Sequence, residues 1–438
     1  MSAAARTRPH YGGVLRVEVD GDAWEAHGLA RKLVLDGLTR MDERGNVQPA
    51  LAVEWKADSG YHRWQFKLRP GVHFSDGSPL TSQLVAEELD RGKALSPWTA
   101  VKAVGSSVVF TGDSPMPELP ELLASDDFRI SLTPKSGGQL SEPIVGTGPF
   151  QVSGSSNGVL TLTANEGCWL GRPFADSVEI REHQHIREQW LDLSVGRADV
   201  VQVPPERLPQ AQQQRLTVLT SRPIKLLALR LGLVGGYLEN PVLRQSVALT
   251  VDRAAIENVI FQKQGEVTGS LLPSAMTGYS FLFPTDRDLE KARALRGGLR
   301  PPISVIASGS EFQEGASALA EQRLVLNLKE AGFETVNGGT LCCEVMLRWL
   351  MVESPGPQAG LDEILRGALM EPVPTDGSPA AVYQAERDIL RNGWLIPLLY
   401  VPRSYAVGPR VRDLRLGLDG LPELADASLT DAGKEAAP

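Results

Sequence analysis

The sequence predicts an α/β protein built as two lobes, one of which carries a small β-rich insertion. Three observations support this. The chain has 438 residues, roughly three times a typical single-core domain. Segments with strand-like alternation keep giving way to segments with helical apolar spacing. Between them lies a block whose apolar residues alternate in hairpin fashion and are broken by Gly, Pro and Asp.

Residues 11–24 read as a loop and then a strand, in which Leu15, Val17 and Val19 alternate with Arg16 and Glu18 before a Gly/Asp turn holding Asp20 and Trp24. Leu29, Leu33, Val34 and Leu38 recur at helical spacing, and Gly45 punctuates the turn before a strand-like stretch. Residues 51–70 carry the hairpin signature, with Trp64, Phe66 and Leu68 alternating after a turn at Asp58–Gly60. A tight Ser75-Asp76-Gly77 turn leads to a helix capped by Thr81, whose hydroxyl can accept a bond from an orphan backbone N–H. Residues 106–145 suit a small mixed subdomain. Next come two strands joined by a polar turn, a loop with Trp169 and a third strand ending near Arg181, and 186–204 reads helix then strand.

Beyond Leu226 a second lobe begins. Residues 240–261 form an amphipathic helix pair with Asp252 as a cap. A strand at 302–308, a helix ended by Gly332 and a strand over 342–351 make a further βαβ pattern. The last helix, 380–391, leads into a buried strand starting at Trp394, and the tail after Asp426 is expected to be frayed.

Composition excludes several classes. Hydrophobic residues make up 42% and charged residues 22%, the balance of an ordinary globular protein. The net charge is −9, and without a basic stripe such a chain repels nucleic-acid backbones. Cys168, Cys342 and Cys343 are the three cysteines, and their spacing suggests neither a disulfide framework nor a zinc site. No apolar run reaches the 18 or so residues that a membrane span requires. Gly154-Ser155-Ser156-Asn157-Gly158 matches the pattern of a hydrolase nucleophile elbow, but a strand comes after it instead of a helix and no histidine occurs after His185, so a hairpin turn is expected there. His183 and His185 could share a metal only with a third ligand that the sequence does not supply, and surface histidines are the expectation. No catalytic residue, metal or cofactor is expected.

The strings VLDGLTRMDERGNVQPALAVEW, FKLRPGVHFSDGSPLTSQLV, VGTGPFQV, NEGCWLGRPFADSVEIRE, GRADVVQVP, LRQSVALTVDRAAIENVI and ERDILRNGWLIPLLY occur in this order over roughly residues 10–410. Together they resemble the extracytoplasmic solute-binding proteins of family 5, which serve peptide and nickel ABC transporters. The resemblance implies a two-lobe periplasmic-binding-protein-like fold (type II, cluster C). Lobe I would comprise residues 10–45, 146–226 and 395–438, with residues 46–145 inserted in it, and a shortened lobe II would comprise residues 227–394. It implies a non-enzymatic monomer outside the cytoplasm, peripheral to the membrane; the first ten residues lack the apolar stretch of a secretory signal, so either a leader has been removed or the protein is cytosolic. The solute, such as a short peptide, would be held between the lobes and delivered to an ABC permease.

Five residues are candidates for the solute site: Asp20, Trp24, Arg348, Trp349 and Glu353. An indole can stack on a ligand while a neighbouring charge fixes its polar end. In the family's second lobe a segment resembling W-x-x-D-Y-x-D-P lines the cleft. Here Trp349 fits the aromatic position, Val352 stands where the carboxylate belongs, and Glu353 is one residue late, so recognition of a peptide's amino terminus is expected to be altered. The alternative is a scaffold of this type reused as a sensor or interaction module.

Overall fold

A computed structural model describes residues 10–19, 23–91, 96–132, 144–182, 185–232, 236–278, 284–307, 315–336, 344–354 and 356–430. The chain divides into two compact units: residues 1–203, 211–219 and 405–438 form unit 1, and residues 204–210 and 220–404 form unit 2.

Unit 1 begins with β1 (Val14–Glu18), where Leu15 and Val17 are fully buried and Arg16 faces the other way. Helix α1 (Ala23–Val34) starts earlier than the apolar spacing predicts, so Trp24 lies in its first turn and not in a connecting turn. It also stops sooner. Gly146, with Gly148 two residues on, packs against its last carbonyls: a Cβ on Gly146 would lie 2.0 Å from the Val34 carbonyl oxygen, and Gly148 donates its N–H to that oxygen at 2.9 Å. Leu35 and Leu38 are therefore buried on non-helical chain.

A short ladder of β2 (Thr39–Met41) and β3 (Val47–Pro49) leads into the insertion. There β4 (Ala52–Ala57), β5 (Arg63–Leu68), α2 (Ser82–Arg91), β6 (Ala100–Val104) and β7 (Ser107–Thr111) form an antiparallel sheet in the order β4-β5-β7-β6, with α2 against it. Trp64, Phe66, Trp98 and Phe110 fill its core. The expected cap is present, since Leu84 donates its N–H to Thr81 Oγ1 at 3.2 Å. A single turn, α3 (Leu119–Leu122), closes the subdomain.

The next strands of unit 1 are β8 (Phe150–Ser156), β9 (Val159–Ala164) and β10 (Ser177–Arg181), followed by α4 (Ile186–Ser194) and β11 (Val200–Gln202). β1 runs parallel to both β10 and β11, and β8-β9-β10 is an antiparallel meander. Asn157 and Gly158, both at positive φ, make the two-residue turn between β8 and β9. The string containing Ser156 is thus a tight hairpin, as expected.

After α5 (Leu208–Gln213) comes the long strand β12 (Thr217–Leu231). Unit 2 then has α6 (Pro241–Thr250), α7 (Arg253–Ala255) running into a π-helical turn at Ile256–Ile260, β13 (Glu266–Val267), α8 (Ser274–Thr277) and α9 (Leu289–Arg296). Next are β14 (Pro302–Ala307), α10 (Gly315–Glu330), β15 (Glu334–Val336) and β16 (Glu344–Met351). Helices α11 (Pro357–Gly367) and α12 (Pro379–Asn392) and the part of strand β17 (Leu395–Val407) up to Ser404 complete it. Asp252 caps α7 as predicted, accepting the Ala255 N–H at 2.9 Å. The sheet order β15-β14-β16-β12-β17 has parallel pairs at β15-β14 and β14-β16. One of its faces packs on α6 and α10, the other on α11 and α12. This is the three-layer α/β arrangement that buried, apolar strands require.

The end of the chain differs from expectation. In unit 1, β18 (Val411–Arg412) pairs with β19 (Ser428–Leu429). Ala427 and Leu429 belong to the unit's core, so residues 427–430 are anchored by apolar burial that their small polar composition conceals, and the rest of the tail lies outside the described residues.

Candidate functional site

Side chains on a strand alternate between faces, and this sorts the candidates on β16. Leu347 and Trp349 join the cluster built from Leu227, Leu229 and α10, whereas Leu350 joins the opposite cluster with Leu226, Ala228 and α11. Arg348 sits opposite Ala228 in the ladder and faces α11's side of the sheet. The structure therefore separates Arg348 from Trp349. Burial holds the Arg348 guanidinium below its ordinary pKa range.

Trp349 is half-buried and held on three sides. Its Nε1–H donates to Ser317 Oγ at 3.1 Å, Phe261 meets it edge-on with centroids 5.9 Å apart, and Lys225 Nζ lies 4.9 Å from its ring centroid. Ser317 stands in the first turn of α10. The same turn is capped by Glu206, whose Oε1 accepts the Ala316 N–H at 3.2 Å. Lys225 comes from β12, one strand over, and supplies the positive charge that sequence adjacency assigns to Arg348.

Glu353 lies just past the end of β16. Its backbone N–H donates to Glu363 Oε2 at 2.8 Å, and its side chain accepts from Arg403 Nη1 at 3.2 Å. Arg403, on β17, is only 6% exposed, so the pair is largely desolvated and both charges are held in place. Its backbone N–H donates to Ser221 Oγ at 3.0 Å. Unit 2 thus offers an aromatic face flanked by an ammonium, with a fixed carboxylate–guanidinium pair also held in the unit. Such a surface can stack on a planar or apolar group and orient a charged one.

Sequence reasoning misses Lys225, Ser317 and Arg403. A lysine in the otherwise apolar run 224–229 is the signal that could have found the first. Asp20 lies outside the described residues, and Trp24 is placed only by its position in α1. His183 is likewise outside them, while His185 occupies the N-cap position of α4. Among the described residues, no group of three His, Cys, Asp or Glu could hold a metal ion, and no helix is long and apolar enough to cross a membrane.

The family model for the bacterial extracellular solute-binding proteins, family 5 (middle), matches residues 46–296. Protein XP55 of Streptomyces lividans is 28% identical over 343 residues, covering 70% of this chain and 62% of its own length. The HTH-type transcriptional regulator SgrR of Pectobacterium atrosepticum is 31% identical over 160 residues, covering 35% of this chain and 28% of its own. The chain thus spans less than two-thirds of the length of these curated relatives. Among solved structures, NikA from Staphylococcus aureus in complex with Ni(L-His)2 superposes with a TM-score of 0.80 at 16% identity, over 95% of this chain and 100% of its own. DppA from Helicobacter pylori in complex with the peptide STSA gives 0.80 at 18% identity, over 96% and 99%. The latter is an ABC transporter-associated periplasmic binding protein, and the predicted two-lobe α/β fold class is borne out.

Proposed function

Since this chain belongs to the bacterial extracellular solute-binding proteins of family 5, we propose that it is the capture component of an ABC transporter, binding a small solute such as a short peptide outside the cytoplasm and delivering it to a membrane permease. It works as a monomer that is peripheral to the membrane and performs no chemistry on its cargo. The observation that carries this reading is the indole of Trp349 with the Lys225 ammonium 4.9 Å from its centroid. Together with the Glu353–Arg403 pair in the same unit, it offers separate contacts for an apolar surface, an anionic group and a cationic group. A zwitterionic peptide or amino-acid complex carries all three.

The test is native mass spectrometry of the purified chain for a retained small molecule. Calorimetry against a pool of defined di- to tetrapeptides and against nickel–histidine complexes accompanies it. Saturable binding to either pool, weakened by Trp349→Ala, is expected. A chain that retains nothing and gives no heat with either pool overturns the reading.

One observation favours a second reading, a sensor built on the same scaffold: the 31% identity to a transcriptional regulator over 160 residues. Fractionation of cells producing the native protein separates the two. Capture for transport requires the extracytoplasmic fraction, and a regulatory sensor of that kind requires the cytoplasm.

A further inference from the structure

On unit 1's sheet, β1 sends Leu15 and Val17 into the core and Arg16 and Glu18 to the opposite face. The parallel register with β10 sets Arg16 beside Glu179 and Glu18 beside Arg181. Both pairs close as ion pairs, at 3.6 Å and 3.0 Å. Helix α4 then adds a second acid: Arg181 Nη1, the nitrogen that holds Glu18, also lies 3.5 Å from Asp192 Oδ2. Arg197, in the turn after α4, reaches Asp192 Oδ1 at 3.4 Å but is largely exposed. β11 contributes Val201 beside Glu18. Two carboxyl groups therefore converge on one guanidinium nitrogen. Glu18 is only 2% exposed, and its Oε2 has no donor among the described residues.

A buried carboxylate oxygen without a donor, such as Glu18 Oε2, costs free energy, and two carboxylates sharing one cation repel each other. A single proton relieves both problems, because a protonated Glu18 can donate to Asp192. We propose that Glu18 and Asp192 hold one proton between them in the folded protein, and that the docking of α4 onto this sheet is thereby linked to proton uptake. Burial first, and then the Asp192 charge, push the Glu18 carboxyl up to about 7, against the opposing pull of Arg181. Folding favours the protonated form, so the contribution is complete below the ordinary Glu value of 4.5 and is lost as pH rises through about 7. Acidification firms α4 onto the sheet, and alkalinity loosens it. This proton linkage does not depend on solute binding.

The experiment uses the full chain with 13C-labelled carboxyl groups, followed by NMR between pH 4 and 9, and amide hydrogen exchange of α4 corrected for intrinsic rates. One carboxyl titrating near 7 and absent from Glu18→Gln is expected. The opening of α4 should be about tenfold more frequent at pH 8 than at pH 6, a difference that Glu18→Gln abolishes because its amide imitates the protonated acid. Asp192→Asn, which removes the repelling charge, should lower the Glu18 midpoint, and it serves if the first variant fails to fold. A Glu18 midpoint below 5 in the native chain, a midpoint unmoved by Asp192→Asn, or an α4 exchange profile that keeps its pH dependence in Glu18→Gln overturns the proposal.

Discussion

Trp349→Ala should weaken unit 2 and the capture of solute by separable amounts. Truncation removes the 3.1 Å bond to Ser317, worth about 1 kcal/mol net. It removes the edge contact with Phe261, whose ring lies at 88°, worth about 0.5–1.5 kcal/mol. It also removes the ring beneath Lys225, worth about 0.5–1 kcal/mol. The stability loss is therefore about 2–3.5 kcal/mol, read as a shift of the urea midpoint at constant slope. Trp349→Phe keeps an aromatic face for Lys225 and Phe261 and loses the indole donor, so it should cost about 1 kcal/mol. If the indole also faces the solute, calorimetry with the bound pool should show Trp349→Ala losing a further 1–3 kcal/mol or so of affinity. Unchanged affinity with reduced stability would make Trp349 a core residue only. A phenylalanine variant as damaged as the alanine one would refute the assignment of the three contacts.

Three further outcomes rest on geometry. Gly146→Ala would bring a methyl within 2.0 Å of a backbone oxygen, and a clash that no rotamer relieves should cost more than about 3 kcal/mol; a loss below about 1 kcal/mol in urea unfolding would show that the end of α1 is not tightly packed there. Glu353→Gln should reduce stability by about 1–3 kcal/mol, since the nearly buried Arg403 loses a charged acceptor, and unchanged unfolding would mean that the pair is dispensable. Burial raises the Asp362 carboxyl to about 6 from its ordinary 3.8, with Arg366 opposing. Its contribution is present below 3.8 and fades as pH rises through 6, so Asp362→Asn should flatten that part of the stability profile, and an unaltered slope would contradict the burial argument.

Local signals in the sequence are strong where one contact decides the outcome. The hairpin of β4 and β5, the Thr81 and Asp252 caps and the Asn157-Gly158 turn each depend on a few adjacent residues, and all three kinds of feature form as expected. Signals fail where distant chain intervenes. The stop of α1 at Val34 is set by glycines more than a hundred residues away, and helical spacing through Leu38 cannot register them. The tail reads as frayed because its composition is small and polar, yet Leu429 is buried in a core that β1 and β10 build. In the site, Trp349 is legible as a large aromatic in a charged setting. Ser317 and Arg403 are not, since they arrive from α10 and β17 by tertiary folding alone.

The pairing of Arg348 with Trp349 fails for a reason already present in the sequence. Both lie within one strand pattern, and neighbours in a strand face opposite ways. Adjacency in sequence, which suggests a charge beside an indole, is in a strand an argument against it. The charge that does reach the indole comes from β12, whose Lys225 and Leu227 share a face with Trp349. A double-mutant cycle makes the distinction quantitative. Lys225→Met combined with Trp349→Leu should show a coupling of about 0.5–1 kcal/mol in urea unfolding. Arg348→Met combined with Trp349→Leu should be additive within about 0.3–0.5 kcal/mol, because the sheet lies between the two side chains. Coupling of the Arg348 pair as large as that of the Lys225 pair would mean that the two side chains meet after all, and the face assignment of β16 would have to be abandoned.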